Sequence, residues 1–288
     1  MKDEIKQFEQ EQVKKICVVT GGGSGMGYAA AMELGKHYMI IIAGRTREKL
    51  EKALVGLREK GCICEAFVCD VASKSSTDYL ARFSSSFGAT HLVINAAGLS
   101  PHMGTPEKIV EVNALGTINM HNSFYSYMSE GGCLIDISSM SAYLTPEFIM
   151  PKSQYRLAFT SPNKFFRKIM KRVNLFPKKV RTGVAYGISK HFIIEYAKKE
   201  AARFGERGVR VLSVSPGNFE TPMGEAEKDE AMEYIQCCAM KRMGHVEEMA
   251  KLLAFCADER LGYLTGTDIL CDGGCVASGV NPLKHSIA

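Results

Sequence analysis

At 288 residues the chain is long enough to bury a full core in one large α/β domain. Its net charge of +5 is too small a surplus to argue for nucleic acid over the whole surface, so the placement of the positive residues matters more than their number. The ten cysteines are scattered through predicted strands and helices. Neither Cys62 and Cys64 nor the adjacent Cys237 and Cys238 has the two-residue spacing of zinc sites, so reduced core thiols and no metal are expected.

Residues 1–14 are polar with little periodicity, the pattern of an extension outside the domain. The charged start and the lack of an eighteen-residue apolar run argue against a signal peptide or a membrane span, and a cytoplasmic protein is expected. Ile16 to Thr20 is a short apolar run with β-branched residues and predicts a buried parallel strand. It leads into Gly21-Gly-Gly-Ser-Gly-Met-Gly27, after which Tyr28 to Lys36 continues as an alanine-rich helix. A strand, a glycine turn and a helix in that order bring backbone N–H groups close to a pyrophosphate. Gly21, Ser24, Gly25 and Met26 are the candidate contacts; the alternative is a merely flexible turn.

The second strand, Tyr38 to Ala43, ends in Gly44-Arg45-Thr46. Dinucleotide folds use an acid near this point for the ribose hydroxyls and an arginine for a 2′-phosphate. Gly44 stands where the acid is expected and Arg45 follows, which favours NADP(H) over NAD(H) unless Arg45 is an ordinary surface charge. A helix through Leu50, Leu54 and Leu57 leads to a third strand, Cys62 to Cys69, closed by Asp70-Val71. Asp70 either bonds an adenine amino group or caps the next helix. The strand from His91 runs into Asn95-Ala96-Ala97-Gly98, whose small residues leave room for a cofactor or simply pack tightly.

From Glu107 to Met128 the spacing of Ile109, Val112, Leu115, Ile118 and Met120 predicts one long helix. Asn113 lies in its middle, and a buried asparagine must be bonded. It either holds a water for a proton relay or is satisfied structurally. A fifth strand, Cys133 to Ile137, delivers Ser138-Ser139.

The stretch from Lys152 to Arg181 contains many Lys and Arg residues and no acid. Ser161-Pro162 starts a helix, and Phe165, Phe166, Ile169, Met170 and Val173 give it one apolar face opposite a basic one. This insertion, residues 144–182, is read as a lid over an amphipathic, anionic substrate or as a surface for an anionic membrane or acidic partner. The plain alternative is a subunit-contact helix with a solvated basic face.

In Tyr186-Gly-Ile-Ser-Lys190 the tyrosine and lysine are four apart and share a helix face. A lysine charge there favours the phenolate over a phenol whose ordinary pKa is ~10, which suits Tyr186 to proton transfer. The helix continues through Phe192, Ile193 and Tyr196 to Phe204. Val209 to Val214 is a sixth strand, the methionine-rich stretch from Asn218 to Met243 a covering loop or plain core, and Gly266 to Leu270 a seventh strand. Residues 276–288 form a tail.

Taken in order, Thr20-Gly-Gly-Gly-Ser-Gly-Met-Gly27, Asn95-Ala-Ala-Gly98, Asn113, Ser138-Ser139, Tyr186-Gly-Ile-Ser-Lys190, Ser215-Pro-Gly217 and Asp272-Gly-Gly274 resemble the motifs of the short-chain dehydrogenase/reductase family over residues 15–275. The resemblance implies a single-domain, doubly wound Rossmann fold, with a seven-stranded parallel sheet covered by helices on both faces. It implies NAD(P)-dependent interconversion of a secondary alcohol and a ketone. It assigns Ser139 to the substrate oxygen, Tyr186 to acid/base work, Lys190 to activating the tyrosine and binding ribose, and Asn113 to the water relay. Asp70, Val71, Asn95, Ala96, Gly98 and Thr221 fall along the cofactor. The family's second asparagine after Asn95 is replaced by alanine, and the segment between Ser139 and Tyr186 is unusually long.

That long segment is similar to the bacterial 3α-hydroxysteroid dehydrogenase/carbonyl reductase subgroup, which implies a steroid or bile-acid substrate. A 3-oxoacyl thioester reductase is the alternative, and a cofactor-sensing scaffold without catalysis a third reading. The family implies a homodimer or homotetramer.

Overall fold

A computed structural model describes residues 15–226, 235–236 and 238–279. The expected N-terminal extension, Cys237, the middle of the covering loop and the tail from residue 280 lie outside the described residues.

Seven strands form one parallel sheet in the order β3-β2-β1-β4-β5-β6-β7. They are β1 (Ile16–Thr20), β2 (Met39–Gly44), β3 (Cys64–Val68), β4 (Thr90–Asn95), β5 (Met128–Ile137), β6 (Arg210–Pro216) and β7 (Asp268–Cys271). The order reverses between β1 and β4, which opens a crevice at the carboxyl ends of these strands. Alternate residues of one strand enter opposite layers. Val18 and Ile41 pack on one face of the sheet with the helices α3 (Lys74–Ser85), α4 (Pro106–Val110), α5 (Gly116–Phe124) and α9 (Arg181–Gly205). Cys17, Val19, Ile40 and Ile42 pack on the other, against α1 (Gly25–Leu34), α2 (Arg47–Glu59) and α11 (Val246–Ala257). Both faces of β1 are buried, which is why it reads as an apolar run.

The expected long helix from Glu107 to Met128 runs unbroken from Pro106 to Phe124, widened at its middle. After α4 comes a π-helical turn, Glu111–Leu115, and then α5, which ends at Phe124. β5 starts at Met128, and its register with β4 jumps from Thr90 opposite Met128 to Leu92 opposite Cys133. Gly131, at φ 77°, turns within that irregularity. The third strand is also shorter than expected.

The insertion consists of α6 (Ser141–Leu144), α7 (Lys152–Tyr155), α8 (Pro162–Val173) and short 3₁₀ turns. As its pattern predicts, α8 buries Phe165, Ile169, Met170 and Val173. Their partners are in the chain's own core. The Phe165 ring lies 4.5 Å from that of Phe192 on α9, and Phe159 stacks on Tyr196 at 4.9 Å. The insertion therefore buttresses the outer side of α9, and its apolar face is not free to enter a bilayer.

A short helix, α10 (Pro222–Ala226), opens the loop after β6. α11 escaped the sequence reading. Its start is marked by Glu248, whose side chain accepts the His245 N–H at 2.9 Å, and its packing by Met249, Leu253 and Cys256.

Candidate active site

A cleft of about 410 Å³ opens at the crevice between β1 and β4. One wall is the glycine turn. Gly21 (φ +68°) faces Ala96 so closely that a Cβ would fall 2.9 Å from the Ala96 carbonyl oxygen, and a Cβ on Gly27 would meet the Gly21 oxygen at 2.6 Å. The sequence thus keeps this space for backbone alone. Ser24 stands at the N-cap of α1 without a side-chain cap bond, and the first turn carries no acid. Gly25 and Met26 line the cleft there. Open N–H groups at the positive end of a helix dipole suit a phosphate group.

At the other end of the cleft Arg45 and Lys49, both exposed, line it together with Thr46. Lys49 was missed in the sequence, although its position four residues after Arg45 offered a signal. Asp70 and Val71 line the cleft as well. Asp70 does not cap α3: Ser73 does, accepting the Ser76 N–H, while an Asp70 carboxylate oxygen accepts the Ala72 N–H at 3.0 Å. Ala96, Gly98 and Thr221 complete the expected lining. The glycine cradle, the uncapped helix start and the paired cations fit a phosphorylated dinucleotide.

Asn95 does not line the cleft. Its side chain turns into the sheet, where it donates to Asp136 at 3.0 Å and to Thr117 at 3.2 Å and accepts from Thr20 at 3.1 Å. The amide is thereby spent on a buried acid, which leaves the backbone of Asn95 as the part that can face a cofactor. That acid, Asp136, was not singled out in the sequence, although an aspartate inside an apolar strand was a signal. Its other oxygen meets His121 Nε2 at 2.7 Å, and His121 Nδ1 lies 3.3 Å from Glu200.

The catalytic candidates converge beside this cleft. Tyr186 and Lys190 lie on adjacent turns of α9, with the Lys190 ammonium 5.7 Å from the centre of the tyrosine ring. Lys190 is buried, donates to the Ile137 carbonyl at 2.9 Å, and has its pKa lowered by burial to about 8, Asp136 opposing the shift. Ser138 donates to the Lys190 carbonyl at 2.8 Å and so pins the end of β5 to α9. Ser139 follows, its hydroxyl accepting the Ser141 N–H at 3.2 Å. Gly187 lets this segment approach, because a Cβ there would lie 2.1 Å from the Thr145 hydroxyl. Gly98 forms the wall between cleft and lysine: a Cβ on it would lie 3.5 Å from Lys190 Nζ.

Asn113 sits in the π turn, a feature that often marks functional sites. Its Oδ1 accepts the Leu99 N–H at 2.8 Å, and its Nδ2 donates to the Leu99 carbonyl at 2.9 Å and to Ser189 at 3.2 Å. These bonds satisfy the buried amide. It ties the end of β4 to α9.

Fold and site together define a dinucleotide-dependent oxidoreductase of the doubly wound α/β class. A family model described as short chain dehydrogenase matches residues 15–151, and one described as Enoyl-(Acyl carrier protein) reductase matches residues 177–276. The chain belongs to the short-chain dehydrogenase/reductase family. It is 29% identical over 265 residues to the short-chain dehydrogenase/reductase bsc3 of Alternaria brassicicola, covering 90% of this chain and 95% of the relative. It is 24% identical to the 3-oxoacyl-[acyl-carrier-protein] reductase FabG of Thermotoga maritima, covering 91% of this chain and 98% of the relative. In structure it is similar to a short chain dehydrogenase from Burkholderia cenocepacia solved in complex with NADP, with a TM-score of 0.73 at 22% identity, covering 91% of this chain and 98% of that one. Most of the insertion falls between the two family matches.

Proposed function

We propose that the protein interconverts a ketone and a secondary alcohol using NADP(H). The observation that carries this reading is Tyr186 held over a buried Lys190 at the rim of a phosphate-ready cleft, with Ser139 presented by the adjoining strand end. When bound, the dinucleotide supplies the hydride. In reduction, Ser139 and Tyr186 bond the carbonyl oxygen as negative charge builds on it, and Tyr186 passes its proton to that oxygen. The Lys190 charge stabilises the phenolate that remains. Oxidation reverses these steps. Because burial holds the Lys190 ammonium down at about 8, its charge is present below that pH and lost above it. The rate of ketone reduction is therefore expected to fall as pH rises through about 8, read from initial rates at saturating cofactor.

The preference for NADP(H) is supported by Arg45 and Lys49 and by the absence of an acid at Gly44. Replacing Arg45 by Ala is expected to raise KM for NADPH about 10–100-fold, the worth of a charge-assisted contact, and to leave KM for NADH in place. Equal effects on both cofactors would remove the 2′-phosphate from the reading.

The cleft is also lined by Leu99, Met103, Val112 and Met223, an apolar set that suits a ring system. A hydroxysteroid or bile-acid ketone is the substrate class we propose first, in line with the long segment before Tyr186. None of the insertion's basic residues lines the cleft among the described residues, so the expected salt bridge from the insertion to a substrate carboxylate has no support. The test is consumption of NADPH over a panel of oxo-steroids, oxo-bile acids and 3-oxoacyl thioesters. Turnover of thioesters alone would favour the activity named for the Thermotoga relative. Cofactor binding without turnover of any ketone would favour a sensor.

A further inference from the structure

From Phe148 to Ile194 the chain contains no acidic residue. With the apolar face of α8 packed into the core, the opposite face is fixed outward. Lys164, Arg167, Lys168 and Lys171, spaced three and four apart, all lie exposed on it, and none pairs with an acid among the described residues.

Two apolar side chains stand out beside these cations. Phe148 and Leu175 are each 69% exposed, far more than a core-forming residue. Neither sits on a loose loop. Arg172 donates to the Ile149 carbonyl at 3.1 Å and also to the Phe148 carbonyl, which holds that turn against the C-terminal end of α8. Arg181 donates to the Asn174 carbonyl at 3.0 Å and to the Phe176 carbonyl at 2.8 Å, the two residues flanking Leu175. Two arginines thus commit their donors to the backbone and present Phe148 and Leu175 to solvent from a rigid base. Lys178 and Lys179, also exposed, follow directly.

We propose that this insertion seats the protein peripherally on an anionic lipid bilayer, with Phe148 and Leu175 entering the headgroup–acyl boundary and the lysines facing the headgroups. The observations favour lipid over a protein or a polynucleotide. The cations are mostly lysines, compact point charges that suit a fluid field of headgroups, whereas Arg172 and Arg181, with planar, bidentate geometry, are spent internally. Protruding aliphatic and aromatic side chains need hydrocarbon, which phosphate backbones do not offer. The arrangement differs from insertion of an amphipathic helix, because α8 keeps its own apolar face in the protein core and only the flanking turns reach the membrane. The inference does not depend on the catalytic reading.

The test is co-sedimentation of the full chain with vesicles of phosphatidylcholine alone and with added phosphatidylglycerol. Binding is expected only with phosphatidylglycerol, and high salt is expected to release it. The double variant Phe148→Ser, Leu175→Ser is expected to lower the partition coefficient by at least about tenfold, the consequence of removing two apolar anchors, with an unchanged melting transition as the control for folding. Lys168→Glu with Lys171→Glu is expected to abolish binding and to leave ketone reduction unchanged. Failure of the wild-type chain to sediment with phosphatidylglycerol vesicles overturns the proposal, as does undiminished binding of the folded serine double variant. If the serine variant instead lowers the mass of the protein in solution without vesicles, the patch is a contact between copies and the membrane reading is overturned.

Discussion

Replacing Tyr186 by Phe is expected to reduce turnover about 10²–10⁴-fold, the usual contribution of a positioned general acid, while binding of NADPH is retained. The substitution is informative because it changes so little else. The Tyr186 ring is partly buried and packs against the core cluster that includes Val184 and Ile188, and phenylalanine keeps that packing. What it removes is the hydroxyl that carries the proton. Lys190→Ala makes a useful companion. It removes a charge 5.7 Å from the ring and the bond to the Ile137 carbonyl together, so it is expected to lower activity and stability at once. If the two residues act as one unit, the double variant is expected to be hardly slower than the worse single variant. The measurement is kcat for ketone reduction, paired with a fluorescence titration of reduced cofactor. Full turnover by Tyr186→Phe would move the proton donor elsewhere, and loss of cofactor binding would turn the tyrosine into a positioning group.

Much of this site was legible in the sequence for a physical reason. Strands buried on both faces must be short apolar runs, so β1, β2 and β5 announce themselves, and the residues that follow each run fall at the crevice. Gly21 to Gly27, Arg45, Asp70 and Ala96 to Gly98 were placed on the cleft in that way, and the structure puts all of these segments there. The direction of the Asn95 amide was not legible, because sequence position fixes the strand end but not which way an amide turns. Its direction is set by Asp136 on the neighbouring strand, a partner 41 positions away. The π turn at Asn113 was hidden because one widened turn shifts an apolar pattern by a single residue, within the tolerance of helical spacing. The insertion shows the limit most clearly. Its amphipathic pattern gave α8 and the correct buried face, yet periodicity says only that a face is covered, and the cover is Phe192 and Tyr155.

The group that the sequence concealed also carries the largest expected effect on stability. His121, wholly buried, stands between Asp136 and Glu200, and Glu200 pairs in turn with Arg203. Burial alone would keep the imidazole neutral, but the charge and hydrogen bond of Asp136, reinforced by Glu200, raise its pKa to about 9. His121→Ala is expected to cost about 3–5 kcal/mol, because it leaves two carboxylates in the core without their shared cation. The sign of the pH dependence follows from the raised value. The contribution of His121 is fully present below its ordinary pKa of 6.5 and is lost as pH rises through about 9. Urea midpoints of the wild-type chain are therefore expected to fall across that window, and those of His121→Gln to fall less; parallel curves would show that the imidazole is not the linked group. The same substitution has an expected effect at the catalytic end. Asp136 also acts on Lys190, opposing the loss of its proton. Without the imidazolium beside it, the uncompensated carboxylate holds the Lys190 charge more strongly. The alkaline decline in reduction rate is therefore expected to move upward from about 8 in His121→Gln. A decline left in place would confine His121 to stabilising the fold.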